Sequence, residues 1–176
     1  VMEEVKYYTG ELLRLSEHRQ GVLEEMVILA QSLPEYKILL SIPGIAETTA
    51  TSIIGDLGEI RRFHSTNQIN AFISIDLRHY ESGNFLAKEH ITRHGNPYAR
   101  KILLKCIHKI ASASHTNPCY IADFYEKRKR QSQVTSTKPH TIASIHRLIG
   151  TMYFLIINFT IILLPKFGII VYAILS

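Results

Sequence analysis

The sequence is poor in cysteine and lacks any segment patterned like a secretory signal. Cys106 and Cys119 are the only two cysteines among 176 residues, which argues against a disulfide framework and for a reducing cytosol. No internal repeat is present, so one compact domain with appendages is the simplest interpretation of this length. The first residues carry no targeting pattern either, and we expect them to lie in the middle of a longer helix.

Acidic residues are fewer than basic ones. Fifteen Asp and Glu against twenty Lys and Arg leave a formal net charge of +5 and a pI near 9.2. We therefore expect the surface to attract polyanions, because each neutralised phosphate releases counterions. This balance favours a nucleic-acid partner without proving one.

Residues 1–33 form a first region with a helical pattern. Apolar residues recur mostly three, four or seven positions apart, with charged residues between them, at Val5, Tyr8, Leu12, Leu15, Val22, Met26 and Leu29. This periodicity predicts an amphipathic helix or a helical hairpin, interrupted mildly at Gly21. Leu33-Pro34 ends it, since the residue before a proline is pushed away from the helical region. We expect a coiled-coil-like connector here, and a homo-oligomer formed through it.

Residues 34–153 follow as a compact helical domain that opens with a helix, a tight turn and a second helix. The turn is typical of a helix-hairpin-helix, in which the backbone N–H groups of Gly44, Ile45 and Ala46 hold a DNA phosphate at a helix N-terminus. Ala46 stands where such motifs usually have a second glycine, and Glu47 brings a negative charge close by. A purely structural hairpin is therefore an equal alternative.

Further helices are predicted along the rest of this domain. The longest begins at Pro97, a residue favoured in the first helical turn, and its apolar face includes Ile102, Leu103, Cys106, Ile107 and Ile110. The other segments with helical spacing are 50–57, with Gly58 as its C-cap, 67–74, 120–125 and 142–153. Residues 75–91 are turn-rich and weakly patterned, and loops are where sites tend to lie.

A basic, Ser/Thr-rich connector is predicted between residues 126 and 140. It contains Lys127, Arg128, Lys129 and Arg130. Such a run is most often a solvated loop, but beside a DNA-binding domain it is a candidate for phosphate contacts.

The turn-rich segment contains the candidate nucleophile, Ser82. A Ser-Gly pair alone is most often an ordinary turn. The surroundings favour chemistry, because Gly83 allows close backbone approach and cationic residues lie on both sides in sequence, at Arg78, His79, Arg93, His94 and Arg100. A serine that attacks a phosphodiester needs such cations, since negative charge grows on the phosphoryl oxygens in the transition state.

Four short motifs occur in a fixed order, namely Ile42-Pro43-Gly44, Phe63, Ser82-Gly83 and Gly95-Asn96-Pro97 with Arg100. In this order and at about these spacings they resemble the C-terminal domain of bridge-RNA-guided insertion-sequence transposases. The resemblance covers roughly residues 35–153, and the first helix resembles the coiled-coil connector that precedes this domain. It implies that Ser82 becomes covalently attached to cleaved DNA. Our candidates for DNA contacts around it are Arg78, Gly83, Arg93, Asn96 and Arg100.

The family resemblance also implies parts that this sequence lacks. In that family an N-terminal RuvC-like domain supplies acidic metal-binding residues, and a guide RNA directs the enzyme. No early strand here carries an acidic residue, and the first four glutamates, Glu3, Glu4, Glu11 and Glu17, fit a solvated helix face. We therefore expect that this chain binds no cofactor and does not catalyse recombination independently. We expect the full-length enzyme to use Mg²⁺. Three smaller departures occur. The family usually has proline where Leu77 stands, glycine where Ser74 stands and Lys-Arg where Arg93-His94 stands.

Residues 154–176 form an almost wholly apolar tail, unlike the amphipathic helix that ends this domain in the family. The stretch from Leu148 to Leu164 is near the lower length for a membrane span, but Gly150 and Asn158 interrupt it. A degenerate or frame-shifted end and a helix buried in an oligomer are therefore favoured over a membrane anchor.

Two other constellations favour structural interpretations. A zinc set can be drawn from Cys106, His108, His115 and Cys119. A Cys-x-His start is unusual for structural zinc, however, and the first of these cysteines belongs to an apolar helix face. Aromatic candidates for base stacking are Tyr80, Tyr98 and Phe85, although aromatic residues at such spacings lie more often in a core.

The sequence thus predicts an all-α, cytoplasmic chain that handles DNA as the C-terminal part of a transposase, a DNA recombinase. Its partners would be DNA, a guide RNA and a second copy of itself. Two alternatives stay open. One is a non-catalytic DNA-binding module in which Ser82 is only a turn residue, and the other is a membrane-attached remnant.

Overall fold

The computed structural model of the chain describes residues 1–75, 95–131 and 136–158, together with the backbone of short strands within 77–91 and 160–174. Its α-helices are α1 (Met2–Gln31), α2 (Pro34–Leu40), α3 (Glu47–Leu57), α4 (Thr66–Ile73), α5 (Pro97–Ala113), α6 (Tyr120–Gln131) and α7 (Lys138–Ile157). A 3-10 turn at Ile60–Arg62 follows α3. The predicted all-α class is confirmed, because helices and the turns between them supply the buried core of the described residues.

Three antiparallel ladders of two strands each accompany this helical framework. They pair β1 (Leu77–Arg78) with β4 (His90–Ile91), β2 (Glu81–Ser82) with β3 (Phe85–Leu86), and β5 (Thr160–Leu163) with β6 (Val171–Ile174). The first two ladders are nested, since β2 and β3 lie between β1 and β4 along the chain. Sequence patterning described these segments only as turn-rich or apolar, because strands of two to four residues are too short to show a clear alternation.

Helix α1 is one continuous helix of 30 residues, so the helical hairpin that the pattern also allowed is not formed. It continues through Gly21, where an added Cβ would meet no atom within 4 Å, because a single glycine costs a helix only about 1 kcal/mol. At 1.5 Å per residue the helix is about 45 Å long. Its C-terminal third packs on the fold, where Ala30 is buried, Met26 lies beside Gly55 of α3 and Leu23 is half-buried.

Helix α5 is at the centre of the helical core. It packs against α3, α6 and α7. Its buried face consists of Ala99, Leu103, Cys106, Ile107 and Ile110. This confirms the apolar face predicted for the helix, apart from Ile102, which is half-buried. Full burial of one Leu or Ile side chain contributes roughly 1.5–3 kcal/mol, so this face is a main source of the fold's stability.

A tight turn joins α2 to α3, as the sequence predicts. Gly44 adopts φ +86°, and an added Cβ would lie 2.7 Å from the Cα of Ile110 in α5. Both its conformation and this close approach require glycine. Gly58 ends α3 as predicted, with φ +64° and its N–H bonded to the carbonyl of Ile54 at 2.8 Å. Whether the pair acts as a DNA-binding helix-hairpin-helix stays a prediction.

Helix α6 runs to Gln131 and therefore includes the four basic residues that were predicted to lie in a connector. The predicted boundary at Tyr125 is wrong. Lys, Arg and Gln are strong helix formers, and cations in a last turn interact favourably with the helix dipole. The basic run thus extends the helix, although its side chains are exposed.

Helix α7 extends beyond the predicted range of 142–153 at both ends. Among the described residues it is the one helix long and apolar enough to cross a membrane, but half of that apolar window is buried inside the fold. It packs on α2, α4, α5 and α6, as the core helix of a compact domain does. The helix ends at Ile157 and β5 begins at Thr160, so the stretch from Leu148 to Leu164 is not one continuous helix.

Candidate nucleic-acid interface

The two ends of the segment that contains Ser82 meet between α4 and α5. Ser74 follows α4 with φ +53°, a left-handed conformation that serine rarely adopts and that glycine adopts without strain. Its hydroxyl accepts a hydrogen bond from the N–H of Gly95. The N–H of Asn96 donates to the carbonyl of Phe72 at 2.8 Å. We call Ser74, Gly95, Asn96 and Arg100 the hairpin base.

Gly95 leaves no room for a side chain in the hairpin base. An added Cβ would lie 2.5 Å from Ser74 Oγ and closer still to the carbonyl oxygen of Phe72. The end of α4 and the approach to α5 can therefore come this close only because residue 95 is glycine.

Asn96 caps α5 and ties it to α3. Its Oδ1 accepts hydrogen bonds from the N–H groups of Tyr98 at 2.9 Å and Ala99 at 3.2 Å, the arrangement that favours Asn at an N-cap. Its Nδ2 donates to the carbonyl of Asp56 at 3.1 Å. Pro97 then takes the first helical position. The close approach at Gly95, the cap at Asn96 and the start of α5 at Pro97 therefore explain the motif Gly95-Asn96-Pro97 structurally.

Arg100 reaches back from the first turn of α5 to the end of α4. Its Nη1 donates to the carbonyl of Ile73 at 2.9 Å and lies 3.5 Å from that of Ser74. These are carbonyls that lack a partner within their own helix. The predicted DNA contacts of Asn96 and Arg100 stay predictions, and the contacts observed are to the chain's own backbone.

Ser82 lies in β2, and its backbone pairs with that of Phe85 across the inner ladder. Only two residues of the chain separate these partners. Of the two pairs in this ladder, the pair of Ser82 and Phe85 is therefore the one more distant in sequence from the hairpin base. The side chains of Ser82 and Arg78, and all of Gly83 and Arg93, lie outside the described residues. The predicted cationic surroundings of Ser82 therefore stay a prediction.

The turn predicted to hold a phosphate faces largely inward. Ile45 is buried and Gly44 meets α5. Ala46, the N-cap of α3, is exposed and offers no side-chain cap, and the exposed Glu47 follows it. A phosphate contact by Gly44, Ile45 and Ala46 remains a prediction that depends on the exposed end of this turn.

The C-terminal turns of α6 form an exposed basic surface. Arg128 lies over the ring of Phe124 at 5.7 Å from its centroid, and Lys129 is 3.9 Å from Glu126. The remaining two cations, Lys127 and Arg130, are exposed as well. All four remain predicted DNA contacts.

A cavity of about 310 Å³ lies between α1, α3 and α5. Three cations and three hydroxyl side chains line it, namely Arg19, Lys105, Lys109, Thr48, Thr49 and Ser52. The Nζ of Lys109 donates to Thr49 Oγ1 at 2.9 Å. Sequence reasoning missed this site because its residues lie far apart along the chain. The sequence signal that could have indicated it is the row of Lys101, Lys105 and Lys109, which lie four residues apart on the polar side of α5.

The cysteines belong to the core. Cys106 and Cys119 are buried and free, and burial raises the pKa of Cys106 to about 12 and also raises the pKa of Cys119. His108 packs edge-on against the ring of Tyr125. Within the part of the chain that the structure describes, no group of three His, Cys, Asp or Glu is placed to hold a metal ion.

Comparisons with known proteins place this domain among transposases. The profile described as "Transposase IS116/IS110/IS902 family" matches residues 36–126, slightly more than half of the chain. The chain is also similar to the "Transposase for insertion sequence element IS1111A" of Coxiella burnetii (strain RSA 493 / Nine Mile phase I), with 33% identity over 94 residues. That match covers 53% of this chain and 26% of the relative, so the chain spans about a quarter of that protein's length.

Proposed function

Because the chain belongs to the Transposase IS116/IS110/IS902 family, we propose that it is the DNA-handling C-terminal part of a transposase in which Ser82 is the nucleophile. The observation that carries the proposal is the connection between α4 and α5. It comprises 23 residues, 74 to 96, whereas helix connections in compact domains usually take two to eight. This connection contains two short strand ladders of its own, and connections that a rigid scaffold positions in this way often carry binding and catalytic residues.

The hairpin base supports this interpretation. Its residues bring the two ends of the long connection together, through the contacts of Ser74 with Gly95, of the Asn96 N–H with the Phe72 carbonyl and of Arg100 with the end of α4. A segment that must present a reactive group to DNA needs such a rigid base, because the attacking atom has to be held close to its target. The segment also lies within the residues matched by the family profile.

In the proposed step, Ser82 Oγ attacks a phosphorus of the DNA backbone. An Oγ–P ester forms, the P–O bond to one deoxyribose breaks, and the departing oxygen takes up a proton in exchange for the one that Ser82 releases. Arg78 and Arg93 are the candidates for stabilising the charge on the phosphoryl oxygens. By the resemblance, Mg²⁺ and the guide RNA belong to the full-length enzyme.

Replacement of Ser82 in a protein joined to an intact RuvC-like domain tests the nucleophile. We expect Ser82→Ala to lower recombination on the order of 10³-fold or more and to abolish the covalent protein–DNA adduct on a denaturing gel. The matched control is Ser16→Ala, at an exposed position of α1, which should leave both unchanged. A Ser82→Ala protein that still forms the adduct contradicts the assignment.

A non-catalytic DNA-binding module is the second candidate function. The contacts of Asn96 and Arg100 favour it, because both side chains bind the chain's own carbonyls and so give no direct sign of a phosphate clamp. The two candidates differ in one measurement. The module binds DNA but forms no covalent adduct even when the RuvC-like domain and the guide RNA are supplied.

We also propose that α1 pairs with α1 of a second copy. Val5, Tyr8, Leu12 and Leu15 follow the alternating spacing of three and four residues that defines a coiled-coil seam, and all four side chains are exposed. An exposed apolar stripe of this length is costly in water unless another helix covers it.

The oligomeric state tests this pairing. Leu12→Glu places a charge in the seam, and we expect it to convert a dimer into a monomer in light scattering. Leu13 is equally exposed but lies off the seam, so Leu13→Glu is the matched control and should stay dimeric. Equal behaviour of the two variants contradicts the pairing.

We propose a cytoplasmic location, where the free thiols of Cys106 and Cys119 remain reduced. The membrane-attached alternative loses support from α7, because half of its apolar window is already buried in the domain. Fractionation of cells that express the chain tests the location, and recovery in the membrane pellet after a high-salt wash contradicts it.

A further inference from the structure

We propose that the cavity between α1, α3 and α5 binds a backbone phosphate of nucleic acid through Arg19, Lys105 and Thr48. The inference rests on the proposed function, since it takes nucleic acid as the ligand. It concerns residues to which neither the transposase resemblance nor the Ser82 segment assigns a role. We call this site the α1–α3–α5 cavity.

The charges around the cavity are arranged for an anion. Arg19, Lys105 and Lys109 line it, and no carboxylate does. Lys105 and Lys109 lie four residues apart on one face of α5, where like charges repel each other. Among the described residues, Arg19 and Lys105 have no ion-pair or hydrogen-bond partner. An anion in the cavity would relieve this repulsion.

The hydroxyl groups leave one exposed donor for the ligand. Lys109 donates to Thr49, whose side chain is buried, and Ser52 donates to the carbonyl of Thr48 at 2.7 Å. The hydroxyl of Thr48 has no hydrogen bond within the described part of the chain, and this residue is exposed. Thr48 can therefore donate an O–H while Arg19 and Lys105 supply charge. A guanidinium fork matches two phosphate oxygens at once.

The surroundings of the cavity favour a polymer over a free anion. Its apolar lining, Leu23 and Ile102, is half-buried and strengthens a charge interaction by excluding water. Lys101 continues the row of Lys105 and Lys109 along α5, one turn before Lys105, and is exposed. A row of cations beside a phosphate pocket suits a chain of phosphodiesters, whose affinity depends on several such contacts.

Binding of labelled 20-nucleotide DNA and RNA by the 176-residue chain tests the proposal. Fluorescence anisotropy across a range of salt concentrations gives the affinity and its salt slope. We expect Arg19→Gln and Lys105→Gln each to weaken binding about five- to tenfold and to lower the salt slope by roughly 0.7–0.9, the value of one phosphate contact. Thr48→Val should weaken binding a few-fold without changing the slope.

The matched control is Lys37→Gln, which removes the same charge from an exposed position on α2. It should bind within twofold of the unchanged chain. Equal losses in Lys37→Gln and Lys105→Gln overturn the proposal, because net charge alone then explains the effect. Thermal melts of the variants confirm that each is folded, because exposed substitutions of this kind change stability little.

NMR titration separates the possible ligands. Shifts of the Thr48, Ser52 and Lys105 amides with DNA or RNA, lost in Lys105→Gln, support the site, and the stronger response identifies which nucleic acid it prefers. If inorganic phosphate shifts these amides and neither DNA nor RNA does, the proposal is overturned. If Lys105→Gln weakens binding while Ser82→Ala leaves the covalent adduct intact, the cavity stands and the nucleophile fails. If Lys105→Gln leaves binding unchanged while Ser82→Ala abolishes the covalent adduct, the cavity proposal is overturned and the nucleophile stands.

Discussion

The hairpin base and the α1–α3–α5 cavity both place polar side chains beside α5, but they use them in opposite ways. In the hairpin base, Asn96 and Arg100 are bonded to carbonyls of their own chain. In the cavity, Arg19 and Lys105 have no such partner among the described residues. A polar group that satisfies the backbone stabilises the fold, whereas a free cation beside a pocket can bind a ligand.

This difference teaches that nearness in sequence to a candidate nucleophile is a poor guide to a residue's role. Asn96 and Arg100 follow Ser82 closely along the chain, and their observed contacts are structural. Arg19 and Lys105 belong to separate helices, and only packing brings them together. Substitutions in the two regions should therefore affect different properties of the protein.

The largest expected effect on stability is at Gly95. Gly95→Ala forces a Cβ against Phe72 and Ser74, and we expect it to lower the free energy of unfolding by about 3 kcal/mol or more. Gly150→Ala is the control, because a Cβ in that part of α7 meets no atom within 4 Å. It should raise stability by up to about 1 kcal/mol. Urea melts compare the two, and similar stabilities would contradict the close approach at the hairpin base.

A smaller loss is expected at Asn96. Asn96→Ala removes the cap of α5 and the bond to Asp56, so we expect a loss of about 2 kcal/mol. Asn96→Asp keeps the cap acceptor, loses the Nδ2 donor and adds a negative charge that is favourable at a helix N-terminus, so at most about half of that loss is expected. The nucleic-acid affinity of the folded fraction of Asn96→Ala should stay within twofold. A large loss of affinity in that folded fraction would assign this residue to DNA.

Arg100 and Lys105 provide the most direct contrast between the two regions. Arg100→Gln should lower the free energy of unfolding by about 1–1.5 kcal/mol, since it removes a hydrogen bond to a helix-end carbonyl. Its effect on nucleic-acid affinity should be smaller than that of Lys105→Gln. Chemical denaturation and anisotropy on the same two samples measure both quantities. If Arg100→Gln weakens binding more than Lys105→Gln, the division between the regions is wrong.

The smallest expected effect concerns the core thiol and appears only in alkali. The folded pKa of Cys106, about 12, lies above the unfolded value of about 8.5. The stabilisation by the neutral thiol is therefore fully present below about pH 8.5 and is lost as the pH rises towards 12. The stability difference between the unchanged chain and Cys106→Ala should narrow between pH 8 and pH 10 in urea melts. A constant difference would contradict the buried, neutral thiol.

Much of the helical framework could be predicted from the sequence. The apolar face of α5, the proline at its start and the glycines at 44 and 58 follow local rules of spacing and backbone conformation, and each is confirmed. The end of α6 could not be placed, because a basic run looks the same in a solvated loop and in a last helical turn. The short ladders around Ser82 could not be predicted either, since strands of two residues are too short to show a clear alternation.

The candidate site divides in the same way. The sequence by itself determined the family, the candidate serine and the motif at Gly95-Asn96-Pro97, because these depend on residue identity and order. Only the tertiary structure decided that Asn96 and Arg100 bind the chain's own carbonyls and that Arg19 of α1 meets Lys105 of α5 across a cavity. Such contacts arise when helices pack, and helix packing joins residues by their distance in space.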